Sequence, residues 1–275
     1  VELTPSDFEY VRTLVHQRAA IVLEHDKAYL VEARLLNVAR TAGFPSVANL
    51  IAQLRASKFN DLHRQVVEAM TINETSFFRD IQPFEALRKS ILPDILARRK
   101  TEHSLRIWCA ACSTGQEAYT IAMLLREHFP QLKSWCIEIL ATDLSTQALE
   151  RARRGTYSQL EVNRGLPVAY LLKYFHKRGV NWQINDDIRK MIQFRPLNLI
   201  EPWPAVSAMD IIFIRNVLIY FDVDTKKQIL AKVRSVLRPD GYVFLGGGET
   251  TFNLDDAFER VDIERAGCYR LRRRL

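Results

Sequence analysis

Residues Leu105–Met123 read LRIWCAACSTGQEAYTIAM. Leu105–Ala110 is a short, largely apolar run that gives way to small residues and a glycine, which predicts a buried strand entering a tight loop. From Thr114 to His128 the pattern becomes helical. The alternation repeats downstream: CIEILATD (136–143) predicts a second strand and Ser145 to Arg153 a helix. MDIIFIRN (209–216) predicts a third strand, with a helix from about Asp222 to Leu237. GYVFLGG (241–247) and CYRLRR (268–273) read as a closing antiparallel pair. Strands alternating with helices imply an α/β domain on a largely parallel sheet.

Residues 1–70 differ in kind. Ser6, with Glu9 three positions on, reads as a capping box, and Phe8, Val11, Leu14 and Val15 make an apolar stripe at helical spacing. Lys27 to Thr41, Ser46 to Arg55 and Asn60 to Met70 predict three further helices. Residues 71–100 form a linker and a long amphipathic helix, with Pro83 in its first turn and a kink at Pro93. The α/β domain then takes 101–275, interrupted at about 155–197 by aromatic residues and turn signals that predict a small inserted subdomain with a short helix and a hairpin.

The chain has 275 residues, 48% hydrophobic and 26% charged, which suits a globular protein with a sizeable core. No apolar run reaches the length of a membrane span, and the start VELTPSDFEY lacks the pattern of a signal peptide. Four cysteines fit a reducing cytoplasm. Cys109 and Cys112 form one C-x-x-C without further ligands at zinc spacing, so no metal site is expected; a redox pair or small residues at a strand end both remain open. The net charge of +7 lies downstream of residue 70, since residues 1–70 hold eight Lys/Arg and eight Asp/Glu. Arg98–Lys100, Arg151–Arg154 and the tail Arg270–Arg274 carry much of it, as solvated faces or as surfaces for an acidic partner. No aromatic-interleaved basic motif of an RNA binder is present.

Ligands of a doubly wound sheet bind at the carboxyl ends of its strands. After the first strand the loop Ala111–Glu117 has one glycine and no lysine, neither G-x-G-x-x-G nor a P-loop, and Glu117 would repel phosphate. Asp143, closing the second strand, could accept hydrogen bonds from both ribose hydroxyls or cap the helix at 145, a role Ser145 could also take. A ribose-binding acid without a phosphate loop implies an adenosine ligand lacking phosphate. S-adenosylmethionine fits, because its ammonium and sulfonium groups suit Glu117 and other acceptors. The third strand ends in Ile214–Asp222, which delivers polar groups and Tyr220 but not the Asn/Asp-Pro-Pro-Tyr pattern of base methylation.

TINETSFFRD (71–80), IWCAACSTGQEAYTIAM (107–123), ILATDLS (139–145) and FIRNVLIYFD (213–222) together resemble the CheR family of chemotaxis-receptor methyltransferases. The resemblance spans nearly the whole chain. It implies a Rossmann-like class I S-adenosylmethionine-dependent methyltransferase domain with a small antiparallel β-subdomain, preceded by an all-helical receptor-recognition domain. It implies transfer of a methyl group to glutamate side chains in the cytoplasmic helical bundle of chemoreceptors, by a cytoplasmic monomer. By motif, Asn73, Thr75, Arg79, Glu117, Asp143, Asn198, Leu199, Arg215 and Asn216 would contact the cofactor, and Arg79 and Tyr220 would flank the methyl-transfer centre. The family's Gly-His-Ser-Glu is here Gly246-Gly247-Gly248-Glu249, so the histidine has no counterpart.

A glutamate carboxylate is ionised near neutral pH, so the reaction needs no general base. Phe77 and Phe78 would anchor a segment from which Arg79 points into the site and holds one carboxylate oxygen. Lys27, Arg34, Asn37 and Arg40 fall within one broad helical face that could meet an acidic receptor helix; a solvated face is the other reading. Some family members dock a receptor C-terminal peptide through the β-subdomain. Here Tyr174–Ile184 is compact with a single glycine, so no such tether is expected. Two alternatives stay open: methylation of RNA or a small molecule, and a non-catalytic adaptor that binds the cofactor.

Overall fold

The computed structural model describes residues 3–272, so Arg273 and Arg274 of the basic tail lie outside the described residues. The chain divides into two compact units. One comprises the chain up to Ile72 together with Tyr220–Thr225; the other comprises Asn73–Ile219 and the chain from Lys226 onward.

In the first unit the helices are Pro5–Ala19, Ala28–Thr41, Val47–Ala56 and Asp61–Ala69, with a single 3-10 turn at His25–Lys27. The first begins two residues earlier than the Ser6 capping box implies. Pro5 occupies the first turn, where its missing N–H costs nothing, and Thr4 accepts from the Asp7 amide instead. Asn60 caps the last helix, and the His63 ring closes its capping box while its other nitrogen bonds the Leu54 carbonyl. Val11, Val15, Leu35, Leu50, Ile51 and Val66 are among the fully buried side chains of this unit.

In the second unit, Ile81–Arg98 runs as one helical rod with a π turn at Leu87–Ile91 rather than a simple kink. Pro93 has no N–H to offer Lys89, and just before it the Leu92 amide bonds the Leu87 carbonyl, five residues back. The strands are β1 (Ser104–Ala110), β2 (Cys136–Asp143), β3 (Thr156–Tyr157), β4 (Phe175–Arg178), β5 (Asn181–Ile184), β6 (Ile192–Pro196), β7 (Met209–Ile214), β8 (Leu237–Phe244), β9 (Phe258–Val261) and β10 (Cys268–Leu271). Among the described residues seven of them form one sheet in the order β6-β2-β1-β7-β8-β10-β9, and β3-β5-β4 form the small antiparallel sheet. β6, β2, β1, β7 and β8 are parallel, and β10 runs antiparallel between β8 and β9. The strand order therefore reverses at β1/β7, the switch point of a doubly wound sheet.

Two element readings shift. Ile192–Pro196, which the sequence reading leaves inside the insert at 155–197, pairs with β2 as the outer parallel strand, so the small sheet ends at Ile184. An edge strand is exposed on one side, and its alternation of burial hides it among loop residues. The helix after β1 starts at Gln116, because Gly115, in the left-handed region at φ 94°, ends the loop. That helix buries residues almost all round, including Ala118, Tyr119, Ile121, Met123 and Leu125.

The basic run Arg98–Lys100 is largely structural. Arg99 is buried, bonds Asp210 at 2.9 Å and forks onto Asp240 at 2.6 and 2.9 Å. Asp210, fully buried, also accepts from the Arg106 amide, so this network joins the helix end to β1, β7 and β8. The Arg99 guanidinium holds the Asp240 carboxyl down at about 2. The folded value lies below the unfolded one, about 3.9, so the stabilisation is present above pH 4 and is lost as pH falls toward 2. Thermal melts from pH 5 to pH 2 should therefore show a fall in Tm that Asp240→Asn makes shallower. A wild-type slope in the mutant over that window would remove Asp240 from the acid transition.

Candidate active site

The carboxyl ends of β1, β2, β6, β7 and β8 open on one edge of the sheet, and their loops carry most of the expected residues. After β1, Ala111, Ser113 and Gly115 have φ of 58°, 51° and 94°. Left-handed residues this dense mark a loop held in place from outside. The holders are visible. The Cys112 amide donates to the Thr142 carbonyl at 2.9 Å, the Ser113 amide to Asp143 Oδ2 at 2.7 Å, and the Tyr157 hydroxyl to the Thr114 carbonyl at 2.7 Å. Tyr157 comes from β3 of the insert and is fully buried, so the small sheet braces this loop.

Asp143 sits 7% exposed at the end of β2. Its Oδ1 accepts from the Ser145 amide at 2.8 Å, while the Ser145 hydroxyl itself caps the following helix by accepting from the Ala148 amide. Ser145 is therefore the cap of that helix.

Glu117 lies in the first turn of the helix after β1, and burial pushes its carboxyl up. Arg215, at the end of β7, answers it: Nη1 donates to Glu117 Oε2 at 2.8 Å, and Nη2 donates to the Arg79 carbonyl at 2.9 Å and Asp80 Oδ2 at 3.0 Å. Arg215 Nε is buried without a protein acceptor. Asp80 is a member of this cluster that the motif reading does not single out. No local pattern marks it: its left-handed φ of 54° and its bond to Arg215 belong to the folded backbone.

Arg79 is half-buried, and its Nη1 donates to the Glu74 carbonyl at 2.8 Å. The two phenylalanines before it are anchors. Phe77 packs edge-on to Tyr157 and Phe175, and Phe78 edge-on to Phe84 and Tyr170. The Phe78 amide bonds the Thr120 hydroxyl at 3.2 Å. Gly165 backs the same segment so closely that a Cβ there would lie 2.1 Å from the Phe77 carbonyl oxygen. Asn73 is exposed, with its carbonyl bonded by Ser113 Oγ at 2.8 Å, and Thr75 is half-buried.

After β6, Asn198 accepts from the Ile200 amide, and Leu199 is buried with its carbonyl facing Lys232 Nζ at 3.1 Å. Lys232 also donates to the carbonyls of Ile200 and Glu201 and so clamps this loop, a role that no local motif marks. Asn216 has φ 58° and follows Arg215 directly. Tyr220 closes the 3-10 turn Leu218–Tyr220 and groups with the first unit, where its carbonyl accepts from the Val22 amide at 3.1 Å.

Of the expected receptor-facing residues, Arg40 is exposed, and Lys27 pairs with Asp26 at 3.0 Å. Arg34 is turned inward to the carbonyls of Met70 at 2.9 Å and Thr71 at 3.4 Å, where it caps the end of the last helix of its unit. Cys109 and Cys112 are free thiols buried out of reach of a redox partner, and burial pushes both well up, against the thiolate that exchange needs. The pair is packing at a strand end. Among the described residues no helix is long and apolar enough to cross a membrane.

The donor set fits S-adenosylmethionine. Carboxylates at the end of β2 and in the first turn of the helix after β1 suit ribose hydroxyls and a cationic amino-acid moiety. Comparison with known proteins agrees. Residues 73–266 match the family described as CheR methyltransferase, SAM binding domain, and residues 6–71 match CheR methyltransferase, all-alpha domain. The chain is 38% identical over 270 residues to chemotaxis protein methyltransferase 1 of Pseudomonas aeruginosa, covering 96% of this chain and 97% of that one. It is 39% identical over 260 residues to chemotaxis protein methyltransferase Cher2 of Pseudomonas putida, covering 93% and 94%. With the chemotaxis protein methyltransferase of Vibrio parahaemolyticus it shares 35% identity over 275 residues, covering 98% and 99%.

Proposed function

This chain belongs to the CheR family and is an S-adenosylmethionine-dependent chemotaxis protein methyltransferase; from that premise we propose that it esterifies glutamate side chains on the cytoplasmic helical bundle of chemoreceptors. What carries the reading is family membership along the chain together with two carboxylates, Glu117 paired to Arg215 and Asp143 at the end of β2.

When bound, S-adenosylmethionine supplies an electrophilic methyl group. The protein's task is to strip water from an already ionised glutamate and hold it in line. Arg79 uses one of its five N–H donors on Glu74, which leaves others for one oxygen of the acceptor carboxylate. Tyr220 is assigned to orient that carboxylate on its motif alone. Asp143 takes the ribose, and Glu117 faces the cationic end of the cofactor with Arg215 offsetting its charge. Asn73, Thr75, Asn198, Leu199 and Asn216 complete the cofactor contacts, and Lys27 and Arg40 remain the receptor-facing cations. Labelled S-adenosylmethionine incubated with receptor, RNA and small-molecule pools tests the reading. Base-labile label on receptor glutamates is expected; label in RNA, or cofactor binding without transfer, would overturn it.

Recognition proceeds without a receptor peptide tether. The hairpin of β4 and β5 closes in a two-residue turn, Gly179-Val180, and the outer strand β4 is only four residues long. Exposed His176, Lys177 and Arg178 make a charged edge of the kind that resists strand addition. Calorimetry with C-terminal receptor peptides from the same cell should give no micromolar binding. Micromolar binding that is lost on hairpin mutation would reverse this expectation.

A further inference from the structure

The loop after β7 is organised by a side chain from the next strand end. Glu249, 9% exposed, accepts five backbone amides. Oε2 takes Asn216 N at 2.8 Å and Gly246 N at 2.6 Å; Oε1 takes Val217 N at 2.9 Å, Leu218 N at 2.7 Å and Ile219 N at 3.3 Å. Four successive amides turned to one point form an anion-binding concavity, made accessible here by Asn216 at φ 58°. Such a concavity ordinarily takes a ligand's phosphate or carboxylate. In this chain it is filled from within.

The surroundings are shaped for that arrangement. A Cβ at Gly246 would lie 2.6 Å from Asn216 Nδ2 and 2.8 Å from Glu249 Oε2, so the residue must be glycine for the carboxylate to reach the amides. Gly247 and Gly248 have open space where a Cβ would go, and the Glu249 amide closes the turn on the Gly246 carbonyl at 2.9 Å. The loop so held joins Arg215 on one side to Tyr220 on the other. Arg215 has its own anchors in Glu117 and Asp80; the stretch leading to Tyr220 has Glu249.

We propose that Glu249 is a positioning residue for methyl transfer, a built-in carboxylate that sets the backbone of Asn216–Ile219, the stretch of chain that follows Arg215 and precedes Tyr220. This rests on the methyltransferase reading above. A carboxylate only accepts, whereas glutamine would turn an NH2 group against amides that themselves donate, so Glu249→Gln breaks the clamp with almost no change in volume. Glu249→Ala empties it.

Both variants should lower kcat roughly 10–100-fold with a smaller loss of affinity for S-adenosylhomocysteine, since the clamp holds Asn216 while Arg215 is held independently. Formate should restore much of the turnover of Glu249→Ala by filling the vacated concavity, and neutral formamide should not. Amide hydrogen exchange at Asn216–Ile219 reads the clamp without turnover: protection should drop in Glu249→Ala and return with formate. Wild-type kcat in Glu249→Gln, or a loss in Glu249→Ala that formate leaves unchanged in both assays, would overturn the proposal. Protected amides in a wild-type protein that methylates no receptor would instead defeat the functional reading, and the positioning role with it.

Discussion

Arg79→Ala lowers methyl transfer by about 10²–10³, far more than it lowers cofactor affinity. The expectation follows from how the side chain is held. Phe77 and Phe78 bury on opposite partners, Tyr157 and Phe175 for one and Phe84 and Tyr170 for the other, so the backbone at Arg79 cannot drift. The Arg79 carbonyl is fixed by Arg215, and one guanidinium nitrogen by Glu74. A charge-assisted donor positioned in advance strengthens its grip on a carboxylate as water leaves, which is where one electrostatic contact has its largest effect. Because the mutation removes only atoms beyond Cβ, the fold should survive, and an unchanged Tm checks this. Single-turnover rates with receptor and saturating cofactor measure the effect. A folded mutant with wild-type turnover would end the assignment.

Asp143→Ala weakens S-adenosylmethionine and S-adenosylhomocysteine binding together, by on the order of 1.5–3 kcal/mol. The two ligands share the ribose and differ only at sulfur, so a ribose contact cannot tell them apart. Asp143 also tethers the strained loop after β1 through the Ser113 amide, which makes the loss larger than that of an isolated hydrogen bond. Calorimetry on both ligands decides: unequal losses, or none, would remove Asp143 from the ribose.

The local settings of the expected site residues were legible where a short pattern defines them. Asp143 stands at the end of an apolar run, Glu117 opens a helix, and the paired phenylalanines announce a segment pinned to a core. Asp80, Tyr157, Lys232 and Glu249 were not legible. Each acts on residues distant in the chain: Asp80 on Arg215, Tyr157 on Thr114, Lys232 on Leu199 and Glu249 on Asn216. Arg34 shows the converse. Its spacing with Lys27 and Arg40 suggests a shared outward stripe, yet its long side chain folds back to the Met70 and Thr71 carbonyls at a helix end. Helical spacing restricts where a Cβ points, not where a flexible guanidinium finds acceptors.

The sequence by itself determined the alternation of strands and helices, the all-helical first unit and the absence of a phosphate loop, because hydrophobic period and turn chemistry act over a few residues. Only the tertiary structure decided that β6 belongs to the main sheet, that the C-x-x-C is buried packing, and that the concavity after β7 is closed by Glu249. Those outcomes depend on which strand lies beside which, on desolvation by the assembled core, and on backbone amides converging from residues about thirty positions away from their acceptor. None of these is a property of a local window, so no local pattern encodes them.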